Sequence, residues 1–162
     1  MSKADDTRES DADLERLKAF WAGDKTEPFV MERRRFDCDC DVIMPTNVNQ
    51  VALACRTVLI RVSRMIPPCG LKVALLRLTG MKIGRDVFVS PGAVVDPLWP
   101  HLIEIGDGVI LGLGCRILSH ECTATHFRIG RTRIGTRSVI GAGSTVRAGV
   151  TIGQWVTVGC NS

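Results

Sequence analysis

The stretch VIGAGSTVRAGVTIGQWVTVG, residues 139–159, returns Val or Ile every sixth residue, at Ile140, Val146, Ile152 and Val158, and Gly follows three of the four. A six-residue beat fits neither the 3.6-residue period of an α-helix nor the alternation of a lone strand. The same spacing runs through Ile83, Val89 and Val95, through Ile105, Leu111 and Ile117, and from Ile134 to the end. Gly follows the anchor at 84, 106, 112, 135, 141, 153 and 159, and the fourth residue after it is usually small or Val, as at Ala93, Cys115, Ser138 and Ser144. If each hexapeptide is a short strand plus a tight corner, three of them close a triangular coil. The anchors then point into a narrow prism, and successive coils stack as parallel strands about 4.8 Å apart. Gly after the anchor is expected to supply corner dihedrals that a Cβ forbids. The pattern predicts a mainly β chain built as a parallel β-helix.

Composition sets the outer bounds. With 162 residues, 45% hydrophobic and 23% charged, the chain can bury a core and fits one principal domain. No apolar run reaches the roughly 20 residues of a spanning helix, and the polar, acidic start MSKADDTRESDADLER does not read as a secretory signal, so the cytoplasm is expected. Seven scattered cysteines form no disulfide framework and read as reduced thiols, mostly small core residues. The formal charge of +4 comes from dispersed basic residues with few aromatics and no Tyr, which argues against a nucleic-acid partner.

Residues 1–80 read as a polar segment followed by helices, and 81–162 as the β-helix. A loosely packed amphipathic helix is expected near residues 11–22, with Leu14, Leu17, Phe20 and Trp21 on related faces. Residues 36–48 read as a connecting loop. NQVALACRTVLIRVSRMI then reads as a helix stopped at Pro67 and Pro68, and LKVALLRLTG as a shorter one ending at Gly80. Arg56, Arg61 and Arg64 allow peripheral membrane contact by the first of these. Packing on a neighbouring subunit or on the end of the main domain is the preferred reading.

The motif [Ile/Val/Leu]-Gly-x-x-[small]-x resembles that of the hexapeptide-repeat acyltransferases, whose fold is a left-handed parallel β-helix, an exception to right-handed crossovers. VVDPLWPHLIEIGDGVILGLGCRILSHE (94–121) and FRIGRTRIGTRSVIGAGSTVRAGVTIG (127–153) are similar to the maltose, galactoside and polysaccharide O-acetyltransferase branch. The resemblance implies acyl transfer, most simply of acetyl from acetyl-CoA to a hydroxyl of a sugar or glycan, by a homotrimer whose sites lie between subunits. An amine acceptor remains open. Arg147-Ala148-Gly149-Val150 has Ala where the family usually has Pro, and Cys160-Asn161-Ser162 ends where the family normally continues into a tail that helps hold coenzyme A. The C-terminal end thus reads as short.

The breaks in the beat locate the chemistry. Val95 to Ile105 is four residues too long and Ile117 to Ile134 eleven too long. If neither insertion hides a complete extra strand, both leave at one corner. Asp96 then lies beneath the loop bearing His120 and Glu121, and Arg147 reaches that corner from the next coil. Acyl transfer needs a base for the acceptor proton, and His120 fits because imidazole titrates near neutral pH. The resemblance assigns it that role. Glu121 is read as orienting the imidazole or meeting the acceptor, and Asp96, Trp99, His126 and Arg147 as substrate-binding. His126 is the second candidate for the base, and His101 is read as a loop contact. The family places coenzyme A along the later coils, where Gly141, Ala142, Ser144, Gly159 and Cys160 are the candidates.

Two rivals stand beside the enzyme. A catalytically silent β-helix scaffold or regulator is the main alternative. A carbonic anhydrase-like protein would need His101, His120 and His126 to converge on one metal. With two of them in one insertion, no metal is expected, and Cys38-Asp39-Cys40 lacks the second pair of a zinc motif.

Overall fold

The computed structural model describes residues 13, 15–23, 27–32, 49–123 and 126–162. Leu14, the expected loop at 36–48 and the Cys38/Cys40 pair lie outside the described residues. Within them the chain is mainly β with parallel sheets and some helices. Residues 15–22 form helix α1, followed by strand β1 (Phe29–Glu32), helix α2 (Gln50–Met65) and helix α3 (Gly70–Leu78). Asn49 caps α2, its side-chain oxygen accepting from the N–H groups of Val51 and Ala52 at 3.0 and 3.3 Å, and the two prolines bar its continuation.

From Lys82 onward the chain visits three parallel sheets in rotation. The first holds β2 (Lys82–Ile83), β5 (Ile103–Ile105), β10 (Thr132–Ile134) and β13 (Thr151–Ile152). The second holds β3 (Phe88–Val89), β6 (Ile110–Leu111), β11 (Val139–Ile140) and β14 (Thr157–Val158). The third holds β4 (Val94–Val95), β7 (Arg116–Ile117) and β12 (Thr145–Val146). This topology is compatible with a parallel β-helix. The register follows the six-residue beat: Ile83 pairs with Ile105, Ile105 with Ile134 and Ile134 with Ile152, while Val95 pairs with Ile117 and Ile117 with Val146. These anchors form one continuous apolar cluster together with Val109 and Cys115 from the fourth position.

Five of the seven anchor-following glycines, at 84, 106, 112, 135 and 141, have a different cause from the one expected. None of them has positive φ. A Cβ on Gly106 would stand 2.7 Å from the backbone N of Thr136, and one on Gly112 2.6 Å from that of Ala142. Gly is required there because the next circuit's backbone passes too closely for any side chain. Positive φ falls two residues later, at Gly92, Gly108, Gly114, Gly143 and Gly149, and also at Asp86, Arg137, Trp155 and Asn161. Of the eleven anchors, only Val95 and Ile117 lack such a residue three positions on, and these are the two points where the insertions depart.

The second insertion contains structure that the sequence reading left out. Strands β8 (His120–Cys122) and β9 (His126–Ile129) form an antiparallel hairpin outside the parallel ladders, and β1 pairs antiparallel with β9. A second apolar cluster fills the space beneath: Phe29, Trp99, Leu102, Phe127 and Ile129 are buried, with Leu17, Phe20 and Trp21 of α1 packed against them. The helix expected to be loose is therefore seated by its aromatic residues. Lys72 of α3 is 1% exposed and donates to the Ser90 carbonyl at 2.8 Å, tying α3 to a corner of the ladders; burial pushes its ammonium pKa down. The thiols depart from expectation: of the five described, only Cys115 is buried, its pKa pushed up to about 11 by desolvation.

Candidate active site

Because β4 and β7 pair in register, the segments that leave these two strands start from the same corner, one circuit apart. Asp96 comes directly after β4, and Ser119 and His120 come just after β7. Asp96 is 2% exposed. Its Oδ2 accepts from the Ser119 N–H at 3.0 Å, the Ser119 hydroxyl at 2.7 Å and the His120 N–H at 3.0 Å, and its Oδ1 from the Leu98 N–H at 2.9 Å. The Nδ1 of His120 also rests on Oδ2. Burial alone would raise this carboxyl's pKa, but the bonds from His120, Ser119 and Leu98 outweigh it and hold it below the usual value.

Such a carboxylate stays ionised at neutral pH and fixes the ring. Nδ1 then carries a proton, and Nε2 is the ring nitrogen that makes no bond to Asp96. The indole of Trp99, itself buried, meets the imidazole edge-on with centroids 5.1 Å apart, and Phe127 packs on Trp99 at 6.3 Å. The partly exposed imidazole is thus held by a buried anion on one side and an aromatic wall on another. Asp96 and Trp99, both expected to be substrate-binding, each contact His120. Their burial leaves them little surface for a ligand.

Glu121 does not orient the imidazole. It is the next residue along β8, where successive side chains alternate faces, and its carboxylate turns to Arg147. Arg147 Nε donates at 3.1 and 3.0 Å and Nη2 at 2.6 Å, and the Ala148 N–H adds a bond at 2.9 Å. Burial pushes the Glu121 carboxyl up, but Arg147 and the Ala148 amide outweigh it and hold its pKa low. Arg147 does reach the expected corner, there to pair with Glu121. Thr132 reinforces the corner: its hydroxyl donates to the Leu118 carbonyl at 2.6 Å and accepts from the Gly149 N–H at 3.2 Å.

His126 lies at the far end of the hairpin, where its N–H donates to the Thr123 hydroxyl at 2.9 Å, while His120 is paired with Ile129 near the strand ends. His101 sits in the 3₁₀ turn Pro100–Leu102 with its ring 5.8 Å from that of Trp21. Among the described residues, no group of three or more His, Cys, Asp or Glu is arranged to hold a metal. Of the coenzyme A candidates, Ser144 is wholly buried and its hydroxyl donates to the Gly159 carbonyl at 2.5 Å, so it serves the stacking of circuits rather than a surface groove. Gly141 is small for the same reason, since a Cβ there would meet the Gly159 backbone at 2.5 Å. Ala142 is half-buried, and Gly159 and Cys160 are exposed. An open depression of about 710 Å³ runs across the first sheet between Arg77 and Gln154, and none of its lining residues belongs to the His120 site.

Ser119 and Thr132 are the site residues that sequence reasoning missed. Ser119 carried a signal, as a small hydroxyl residue two places past an anchor whose repeat then fails. Thr132 carried none that distinguishes it from other strand threonines.

Over 84 residues, 51% of this chain, the sequence is 32% identical to the Bacillus subtilis (strain 168) protein named "Putative acetyltransferase YvoF", covering 49% of that protein. The chain therefore spans about half the length of the curated relative it matches. No family model matches the chain, and no solved structure matches it.

Proposed function

We propose that the chain is a coenzyme A-dependent acyltransferase built on a left-handed parallel β-helix, moving an acetyl group from acetyl-CoA to a hydroxyl of a sugar or glycan. The observation that carries this is the buried Asp96 carboxylate on His120 Nδ1, which leaves Nε2 as a base beside a preformed aromatic wall. The partial likeness to an acetyltransferase supports the reaction class, and the resemblance of residues 94–121 and 127–153 to the sugar branch supports the acceptor.

In this mechanism Nε2 of His120 takes the acceptor's hydroxyl proton as that oxygen attacks the thioester carbonyl. Asp96 stabilises the imidazolium so formed and stays ionised throughout. The tetrahedral oxyanion, met by a backbone N–H, collapses with cleavage of the carbon–sulfur bond. The thiolate of coenzyme A leaves and takes the proton back from Nε2. Ester and free thiol are the products, and His120 ends as it began.

The donor would run along the later circuits, past Ala142, Gly159 and Cys160. A homotrimer would complete the sites, and light scattering of the purified chain tests it, since a purely monomeric protein contradicts a shared site. The function is tested by thiol release from acetyl-CoA with a panel of sugars, glycans and amines. Acceptor-dependent release lost in His120→Ala and kept in His126→Ala is expected. Equal release by all three proteins, or none by the wild type, overturns the assignment.

A further inference from the structure

Helix α2 is apolar on two sides. Its inner side packs on α3 and β4, with Ile60 and Ser63 buried. Its outer side presents Val51, Val58, Val62 and Met65, which are 70, 57, 43 and 87% exposed. Steps of seven, four and three residues put these four on a single stripe. A helix on a water-facing surface ordinarily turns polar residues that way. Helix α3 repeats the feature with Leu71 and Leu78, one heptad apart and 61 and 73% exposed.

Charge selects what covers the stripe. Residues 49–85 hold seven Lys and Arg and no Asp or Glu, whereas in the rest of the chain acids outnumber bases 17 to 14. Arg61 flanks the stripe, and with Arg64, Met65 and Gly92 it lines an open hollow of about 410 Å³. Among the described residues neither guanidinium has a carboxylate partner. A two-fold contact of this face with its own copy would bring Arg56, Arg61 and Arg64 of both chains together, which is repulsive. The stripe also lacks the aromatic anchors on which protein interfaces commonly rely. Aliphatic side chains beside unpaired arginines suit the boundary between lipid headgroups and acyl chains, where the guanidinium reaches phosphate and its stem stays apolar.

We propose that α2, with α3 beside it, docks the protein on an anionic lipid bilayer. Val58, Val62 and Met65 enter the acyl boundary, and Arg61 and Arg64 take a lipid phosphate in the hollow. The contact is peripheral, since among the described residues no helix is long and apolar enough to cross a membrane. It does not depend on the acyltransferase assignment.

Vesicle flotation of the full chain tests the surface, with phosphatidylcholine alone against phosphatidylcholine mixed with phosphatidylglycerol. Flotation with the mixed vesicles only, released by salt, is expected. Arg61→Gln and Arg64→Gln should each weaken partitioning about fivefold, and together about 25-fold. Val58→Glu with Val62→Glu should abolish it while circular dichroism stays unchanged. Equal flotation with neutral vesicles, or flotation that both arginine substitutions leave undiminished, overturns the proposal. So does light scattering in which Val58→Glu with Val62→Glu dissolves an assembly without affecting flotation, which would make a second copy the occupant.

Discussion

His120 rests its Nδ1 on Oδ2 of Asp96, a carboxylate buried to 2% exposure that also accepts from Ser119 and from the His120 backbone. A ring held this way has one tautomer and one orientation, and its conjugate acid has a fixed counter-charge. If His120 is the base, Asp96→Asn and His120→Ala should each lower kcat for acceptor-dependent thiol release by about 10² to 10⁴-fold. Residues that act as a unit are not additive, so the double variant should be no slower than His120→Ala. Multiplied losses in the double variant would mean that Asp96 acts elsewhere.

The depressed pKa of Asp96 has a consequence for acid stability. Its folded-state value lies below the usual value, so the stabilisation is complete above the unfolded pKa, about 3.9, and drains as pH falls through the folded value. Glu104 and Glu121 are shifted the same way by their cationic neighbours and add to the slope. Urea midpoints should therefore be flat from neutral pH to about 5 and fall steeply below about 4. Asp96→Asn should lose about 1–3 kcal/mol at pH 7, because it leaves buried donors poorly matched, and should show a shallower acid slope. An unchanged acid slope in the variant would show that Asp96 is not one of the groups responsible.

Glu121 and His120 are adjacent on β8 and face opposite ways, the former to Arg147. Glu121→Gln should thus leave the pH profile of kcat where it is and reduce kcat by less than about tenfold, against the far larger loss expected for Asp96→Asn. A Glu121→Gln profile displaced along the pH axis would restore Glu121 as the partner of the base.

The ladders were legible because a repeat with a strict period leaves few registers, and the pairing of Ile117 with Val95 and Val146 already places Asp96, His120 and Arg147 at one corner. Which groups then touch was not legible. Residue spacing places Asp96 beneath His120 but says nothing of its burial or of the direction in which it points, so it read as an acceptor ligand. The antiparallel pairing of β1 with β9 joins segments nearly a hundred residues apart and has no local signature. One sequence clue does mark the departures: His120 and Leu98 stand three residues past their anchors, where nine other circuit corners carry a residue with positive φ. A corner without Gly, Asp or Asn is where the chain could depart, although Arg137 and Trp155 show that the clue has exceptions.

Two neighbouring glycines separate the two reasons for Gly in the repeat. Gly112 has ordinary φ, but a Cβ there would lie 2.6 Å from both the Ala142 N and the Ile140 O, backbone atoms that cannot swing aside. Gly114 has φ of 64° with nothing within 4 Å of its would-be Cβ. Gly114→Ala should therefore cost only the left-handed backbone penalty, about 1–2 kcal/mol. Gly112→Ala has to push two circuits apart at an in-register ladder and should cost about 3 kcal/mol or more. Urea unfolding of the two variants side by side decides the point. A larger loss at Gly114 than at Gly112 would return the anchor-following glycines to a role in corner dihedrals, whereas the opposite order makes close stacking of circuits the constraint that selects them.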